Sequence, residues 1–226
     1  MPAMNTKTIK PFIYNPPQDP YLTVIHRDND IIVLSKPSGI LSVPGRPEEH
    51  KDCLSSRVQE RFPTATVVHR LDLATSGVII MPLNKAAHRH LGLQFEKRKT
   101  KKHYIARVWG NVEENTGHID LPLICDWPNR PRQMVDFENG RPSQTDWEVI
   151  KRDDYSTRLK LTPITGRSHQ LRVHMLSIGH PILGDDLYAH DEALEAAERL
   201  QLHSEALTIF HPSDGRECTF TVPCPF

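Results

Sequence analysis

The chain predicts an α+β fold: a mixed, mainly antiparallel sheet with flanking helices and loops. Two observations lead there. Short apolar and β-branched runs of strand length recur along the whole chain. Helical segments fall among them, but without the regular strand–helix–strand rhythm of a doubly wound parallel sheet. A chain of 226 residues is long enough to bury a sizeable core. Residues 1–20 hold five prolines and little periodicity, and read as a flexible or surface-wrapping N-terminal tail. Residues 21–226 read as one domain.

Taken in order, strands are expected near Thr23–His26 and Asp30–Ser35. After a polar loop over 40–50, a helix near Asp52–Arg61 stops before Pro63. Apolar runs at 66–71 and 77–82 predict a pair of strands around a polar turn. Asn84 caps a helix reaching about Lys99, and a long strand covers 101–110. Leu121–Arg141, with Pro122, Pro128, Pro131 and Gly140, reads as an irregular, mobile loop. Strands near 144–151 and 155–162 precede a helix over Ser168–Ile178. A short acidic helix at 191–199 and strands at 202–210 and 216–222 complete the pattern.

Composition excludes several classes. Hydrophobic residues make up 38% and charged residues 25%, which is ordinary for a globular protein. No apolar run approaches a membrane span, and the polar, Pro-rich start is not a signal peptide. Cys53, Cys125, Cys218 and Cys224 are scattered without C-x-x-C spacing, so reduced cytoplasmic thiols are expected and zinc is not. The formal net charge is zero, 28 basic against 28 acidic residues. The charges are unevenly placed, however: Lys97-Arg98-Lys99-Thr100-Lys101-Lys102 carries five cations in six positions. That run suits the end of a helix, contact with RNA, or both, and it makes Lys101 and Lys102 candidate phosphate contacts.

The most informative string is His69-Arg70-Leu71-Asp72-Leu73-Ala74-Thr75-Ser76-Gly77. It sets one carboxylate two residues after an arginine, in a polar turn between apolar runs. A nearby guanidinium keeps a carboxylate ionised, which suits a nucleophile or base; an Arg–Asp pair bracing a turn is the other reading. H-R-D of protein kinases is not a match, because Leu71 interrupts it and no G-x-G-x-x-G loop or D-F-G follows. Further strings follow in order: Lys36-Pro37-Ser38-Gly39, Lys102-His103-Tyr104-Ile105-Ala106-Arg107-Val108-Trp109-Gly110, Thr165-Gly166-Arg167-Ser168-His169-Gln170-Leu171-Arg172-Val173-His174, Gly179-His180-Pro181-Ile182-Leu183-Gly184-Asp185 and Arg199-Leu200-Gln201-Leu202-His203. The spacing of His169 and His174 is not H-E-x-x-H, and both read as hydrogen-bonding side chains rather than metal ligands.

From about residue 22 to the C-terminus these strings resemble the RluA family of pseudouridine synthases, whose signature is HRLDxxTSG. The resemblance implies isomerisation of uridine within RNA, without a cofactor or metal, on a base turned out of its stack. It implies that Asp72 is the essential carboxylate, Tyr104 the active-site ring stacked on the target base, and Arg167 the guanidinium paired with that carboxylate. Arg70 matches a residue that enters the space left by the flipped nucleotide; its alternative is an internal ion pair with Asp72. Leu202 is a candidate to pack beneath the uracil, with a buried strand leucine as the alternative. Ser204 stands where the family usually has alanine. There is no S4-type module, a monomer is the default expectation, and Leu123–Pro131 is similar to an insert of a short member of the family. That member acts on both a 23S ribosomal RNA hairpin and the tRNA anticodon stem-loop. Arg130, Arg132 and Arg141 become candidate contacts to the RNA loop. A non-catalytic RNA-binding protein on the same fold is the competing reading, and intact Asp72, Tyr104 and Arg167 argue against it.

Overall fold

The structure, a computed structural model, describes residues 13–226. The part of the expected tail that precedes residue 13 lies outside the described residues. The described residues form eleven strands: β1 Val24–Arg27, β2 Ile31–Lys36, β3 Ser76–Pro82, β4 Lys101–Trp109, β5 Thr116–Asp120, β6 Leu123–Cys125, β7 Gln133–Val135, β8 Gln144–Arg152, β9 Ser156–Pro163, β10 Leu202–Phe210 and β11 Glu217–Thr221. Four α-helices accompany them: α1 Leu54–Arg61, α2 Lys85–Glu96, α3 Gln170–Ser177 and α4 Asp191–Glu195. One sheet runs β1-β2-β3-β10-β4-β9-β8-β5, with β11 also on β10, and β6–β7 forms a separate hairpin. Every pairing is antiparallel except β3–β10. The fold is α+β, as the sequence predicts.

Strand alternation builds the core on both faces of the N-terminal half. Ile32 and Leu34 of β2 join Ile79 and Met81 of β3 against Leu54 and Val58 of α1. Their neighbours Ile31, Val33, Val78 and Ile80 face the other way, onto Leu91 of α2 and onto Leu207 and Ile209. A strand covered on both faces is apolar throughout, which is why β3 is buried at every position. In the other half a single apolar face, with Ala106, Val108, Leu159 and Leu161, packs under Leu171 and Met175 of α3. Tyr104 touches both the α1-side and the α3-side clusters, so it stands where the two halves meet.

The parallel junction between β3 and β10 is short, pairing Ser76 with His203 and Gly77 with Ser204. Gly77 has φ +115, and a Cβ there would lie 2.1 Å from the Ser204 carbonyl oxygen. Only glycine permits both that backbone and that approach. Ser76 completes the seam through a 2.8 Å hydrogen bond between its hydroxyl and His203 Nδ1. The Ser76-Gly77 end of the signature is therefore sheet carpentry.

Four expectations change. Residues 66–71 are not a strand: β3 is already paired along one edge with β2, and the Ile80 N–H is accepted by the His69 ring at 3.0 Å instead of by a ladder carbonyl. Burial, with the Lys102 charge added, lowers His69 to about 3, so the ring is neutral and free to accept. Leu121–Arg141 is not irregular throughout. It forms the β6–β7 hairpin around a 3-10 turn at Trp127–Asn129, joined to Arg141 by paired backbone bonds with Leu123. β5 carries no strand signal in the sequence, because Gly117 and His118 break the apolar alternation and Asp120 ends it in a charge. The acidic helix spans only Asp191–Glu195. Within the expected tail, Tyr14 donates its hydroxyl to the Asp52 carbonyl at 2.6 Å, and the Pro17 carbonyl accepts from Arg57 at 2.7 Å. Those bonds tie residues 14–17 to α1.

Candidate active site

Asp72 lies in the loop entering β3, half-buried. Every backbone carbonyl from 71 to 75 is held. Ser42 donates its hydroxyl to Leu71 O at 2.7 Å and accepts the Leu71 N–H at 3.1 Å. Asp72 O accepts the Thr75 N–H at 3.2 Å, closing the turn. Leu73 O accepts from Gly39 N–H at 2.9 Å, and Ala74 O from the Ser38 hydroxyl at 2.7 Å. Lys36 Nζ, fully buried, reaches Leu73 O at 3.0 Å, Thr75 O at 2.8 Å and Pro37 O at 3.0 Å. The Lys36–Gly39 string is thus a clamp for the Asp72 loop, and satisfying every carbonyl leaves the loop little freedom. Side chains anchor the loop as well: Leu71 belongs to the α1-side core and Ala74 packs on the α3-side core.

The electrostatics follow from burial. Burial lowers Lys36 to about 7, against the raising pull of Asp72. Burial pushes Tyr104 up to about 12, a neighbouring Ser204 hydroxyl opposes this, and the Asp72 charge adds to it. Tyr104 therefore rests as a neutral phenol, able to donate. Lys36 and Tyr104 both feel Asp72, so the acid, the ammonium and the ring form one electrostatic unit.

The expected partnership of Arg167 with Asp72 is absent: among the described residues Asp72 makes no ion pair. The loop explains why. Gln170 Oε1 accepts the Arg167 N–H at 3.0 Å and the Thr165 hydroxyl at 2.6 Å, while Arg167 Nε leans to the Pro142 carbonyl at 3.3 Å. The Asp72 charge acts on Arg172, on the first turn of α3. Burial pulls Arg172 down, but Asp185 bonds it at 2.8 and 2.6 Å, and the charges of Asp185, Asp72 and Asp186 hold it above its ordinary value. Arg172 and Asp185 both stand in quoted motifs, yet their pairing across 13 residues is a tertiary fact. His169 is the other residue the sequence undervalued. Burial holds it below the usual histidine range, with Asp72 pulling it upward. His174 is structural, bonded to Thr145 Oγ1 at 2.9 Å and Leu121 O at 3.2 Å.

The remaining candidates separate cleanly. Arg70 is exposed and, among the described residues, makes neither hydrogen bond nor ion pair, so the internal pair with Asp72 does not form. Lys102 shares the Tyr104 face by alternation, and its Nζ lies 3.5 Å from the Cβ position of Gly166. Lys101 points to the opposite face, where it pairs with Glu217 at 3.0 Å. Leu202 is 3% exposed and opposite Ala106, in the core two residues along from Tyr104. On the hairpin, Arg130 lies 4.1 Å over the exposed Trp127 ring, Arg132 lies 5.3 Å over Tyr188, and Arg141 is exposed. Asp28, Asp30 and His211 are close enough to share a cation. Asp28, however, is already filled by His26, His211 and two backbone N–H groups, which lower its pKa despite burial. All four cysteines are free.

Residues 30–177 match the family model described as RNA pseudouridylate synthase. The chain is 58% identical over 214 residues to the dual-specificity RNA pseudouridine synthase RluA of Salmonella typhi, covering 94% of this chain and 98% of the relative. It is 59% identical over 206 residues to the protein of that name from Yersinia pestis, covering 91% and 100%. The solved structure of human RNA pseudouridylate synthase domain containing 1 superposes with a TM-score of 0.77 at 30% identity, over 91% of this chain and 84% of that one. The clamped Asp72 loop, the neutral Tyr104 phenol on which the Asp72 charge acts, and the match of most of the chain to these proteins have one reading: the chain belongs to the RNA pseudouridylate synthase family and is an RNA pseudouridine synthase.

Proposed function

We propose that the enzyme converts uridines in two RNAs, a 23S ribosomal RNA hairpin and the tRNA anticodon stem-loop, and that Asp72 is its reacting carboxylate. The clamped Asp72 loop, whose Leu71 and Ala74 share core clusters with Tyr104, is the observation that carries the second part. In the reaction the N1–C1′ bond breaks, the uracil turns over, C5 bonds to C1′, C5 loses its proton and N1 gains one. No electron leaves the system. Asp72 starts the sequence on the sugar or the ring, Tyr104 stacks on the base as a neutral phenol, and Arg172 and Lys36 balance the charge around the acid. The dual specificity is supported by the name shared by relatives 58–59% identical across nearly the whole chain. Two unlike RNAs are best served by a short common loop sequence and a common deformed shape. Arg130, Arg132, Arg141 and Lys102 are assigned to that loop, and the enzyme acts as a cytoplasmic monomer. Four free thiols fit such a reducing compartment.

Pseudouridine mapped in total RNA from cells lacking this protein should disappear from one 23S hairpin and from the anticodon stem-loop of certain tRNAs. Loss confined to a single unrelated site would end the dual reading. Arg70, exposed and unpaired beside Asp72, fills the gap left by the everted uridine; its planar fork stacks better than lysine. Arg70→Ala should lower kcat/KM on a structured stem-loop by about tenfold or more, the cost of unaided unstacking, with a smaller loss on an RNA whose target base is already unstacked. Equal losses on both substrates would remove the extrusion role.

A further inference from the structure

His169 occupies an unusual position. Its φ is 52°, in the left-handed region that non-glycine residues avoid, immediately before α3. Its ring stands edge-on to Tyr188, with centroids 5.7 Å apart and planes at 86°. Tyr188 is buried and braced by two guanidinium groups, Arg172 at 5.1 Å and Arg132 at 5.3 Å from its ring. The Tyr188 oxygen accepts the Gln133 N–H at 2.7 Å, a bond in which the amide can only donate. It also lies 2.8 Å from His169 Nδ1. Among the described residues no other acceptor stands within reach of that hydroxyl, and a buried O–H that donates to nothing is costly. The hydroxyl proton therefore goes to His169 Nδ1. An imidazole accepting at Nδ1 and kept neutral by burial carries its proton on Nε2. That Nε2–H has no acceptor among the described residues, and Leu171, two residues on, packs in the cluster that Ala74 of the Asp72 loop and Tyr104 rest against, which brings the start of α3 to the site.

We propose that His169 donates this Nε2–H to a carbonyl oxygen of the everted uracil, and that the Tyr188 hydroxyl, itself oriented by the β6–β7 hairpin through Gln133, is the lock that keeps the ring in the donating tautomer. This rests on the reading of the site as a uridine-isomerising centre. Aimed at position 4, where uracil has a carbonyl and cytosine an amino group, a locked donor lets the chain Gln133–Tyr188–His169 select the base and link it to the hairpin assigned to the RNA loop.

Tyr188→Phe keeps the ring and removes only the hydroxyl. In full-length protein with imidazole 15N labelling, wild-type His169 should show the pyrrole-type signal at Nε2, and Tyr188→Phe should shift it toward a mixture of tautomers. An unchanged tautomer would overturn the lock, whatever the activity. With a stem-loop RNA carrying tritium at uridine C5, Tyr188→Phe should lower kcat about tenfold at similar melting temperature. In a His169→Gln background, where the amide donates without any tautomer to choose, the same change should cost less than about twofold. The same tenfold loss in both backgrounds would make Tyr188 merely structural and sink the proposal. Failure of wild type to release tritium from any RNA would strike instead at the uridine-isomerising reading, leaving the tautomer measurement standing.

Discussion

Asp72→Asn should reduce pseudouridine formation by at least about a thousandfold while leaving the melting temperature within a few degrees of wild type. The two halves of that expectation have separate causes. Catalysis fails because an amide neither attacks carbon nor takes a proton as a carboxylate does, and no second acid stands in the Asp72 loop. Stability survives because Asp72 makes no ion pair among the described residues, and the loop is held through its backbone and through Leu71 and Ala74. Asparagine is isosteric and leaves the bonds to all five carbonyls in place. Thermal denaturation alongside tritium release from C5-labelled RNA would check both. A variant that retains pseudouridine formation would remove Asp72 as the reacting group, and one that unfolds would make its role structural.

Lys36→Met is expected to have the second largest effect, and on both quantities. The ammonium holds three carbonyls, of which Leu73 O keeps the Gly39 N–H while Pro37 O and Thr75 O lose their donor. Leaving two buried carbonyls unsatisfied costs about 2–4 kcal/mol. For a domain of this size that corresponds to a fall of about 5–15 °C in melting temperature. Activity should fall by about a hundredfold, since a loop that shifts by an ångström misplaces the acid. A pH signature separates this from a generic cavity. Lys36 has a folded value near 7, below that of the unfolded chain, so in the window above 7 the unfolded state binds the extra proton. Native stability should therefore rise as pH climbs from 7 toward 10, and Lys36→Met should abolish that part of the rise. Wild-type activity and melting temperature in the variant would show that the clamp does not position Asp72.

How much of this was legible before folding depends on the range of each interaction. Asn84 caps α2 through a 2.9 Å bond to Ala87 N–H, a contact three residues long that any reading of local chemistry finds. The β2, β4, β8, β9 and β10 strands were placed within a residue or two, because alternation and β-branching mark them locally. The 66–71 strand failed for a non-local reason: whether an apolar run becomes a strand depends on a free sheet edge, and here the His69 ring takes the place of the ladder. The β6–β7 hairpin was hidden by its prolines, yet Leu123, Val135 and Val173 bury it against α3 and Tyr188.

The site divides in the same way. The motif strings name Asp72, Tyr104 and Arg70 as candidates through the family resemblance, which needs only the order of residues. That the Asp72 charge acts on Arg172, with Arg167 held elsewhere, could not be read from them. Arg167 and Arg172 belong to one decapeptide block, and their fates are set by the Gln170 knot and by Asp185, arriving from opposite sides of the chain path. The order of residues thus carried the chemistry available, the sheet type and the family, because these rest on side-chain identity and short-range periodicity. Pairing across the fold (Lys36 to the Asp72 loop, Tyr188 to His169, Arg172 to Asp185) arose when burial withdrew these polar groups from water and left each one the partners that packing brought within three ångströms.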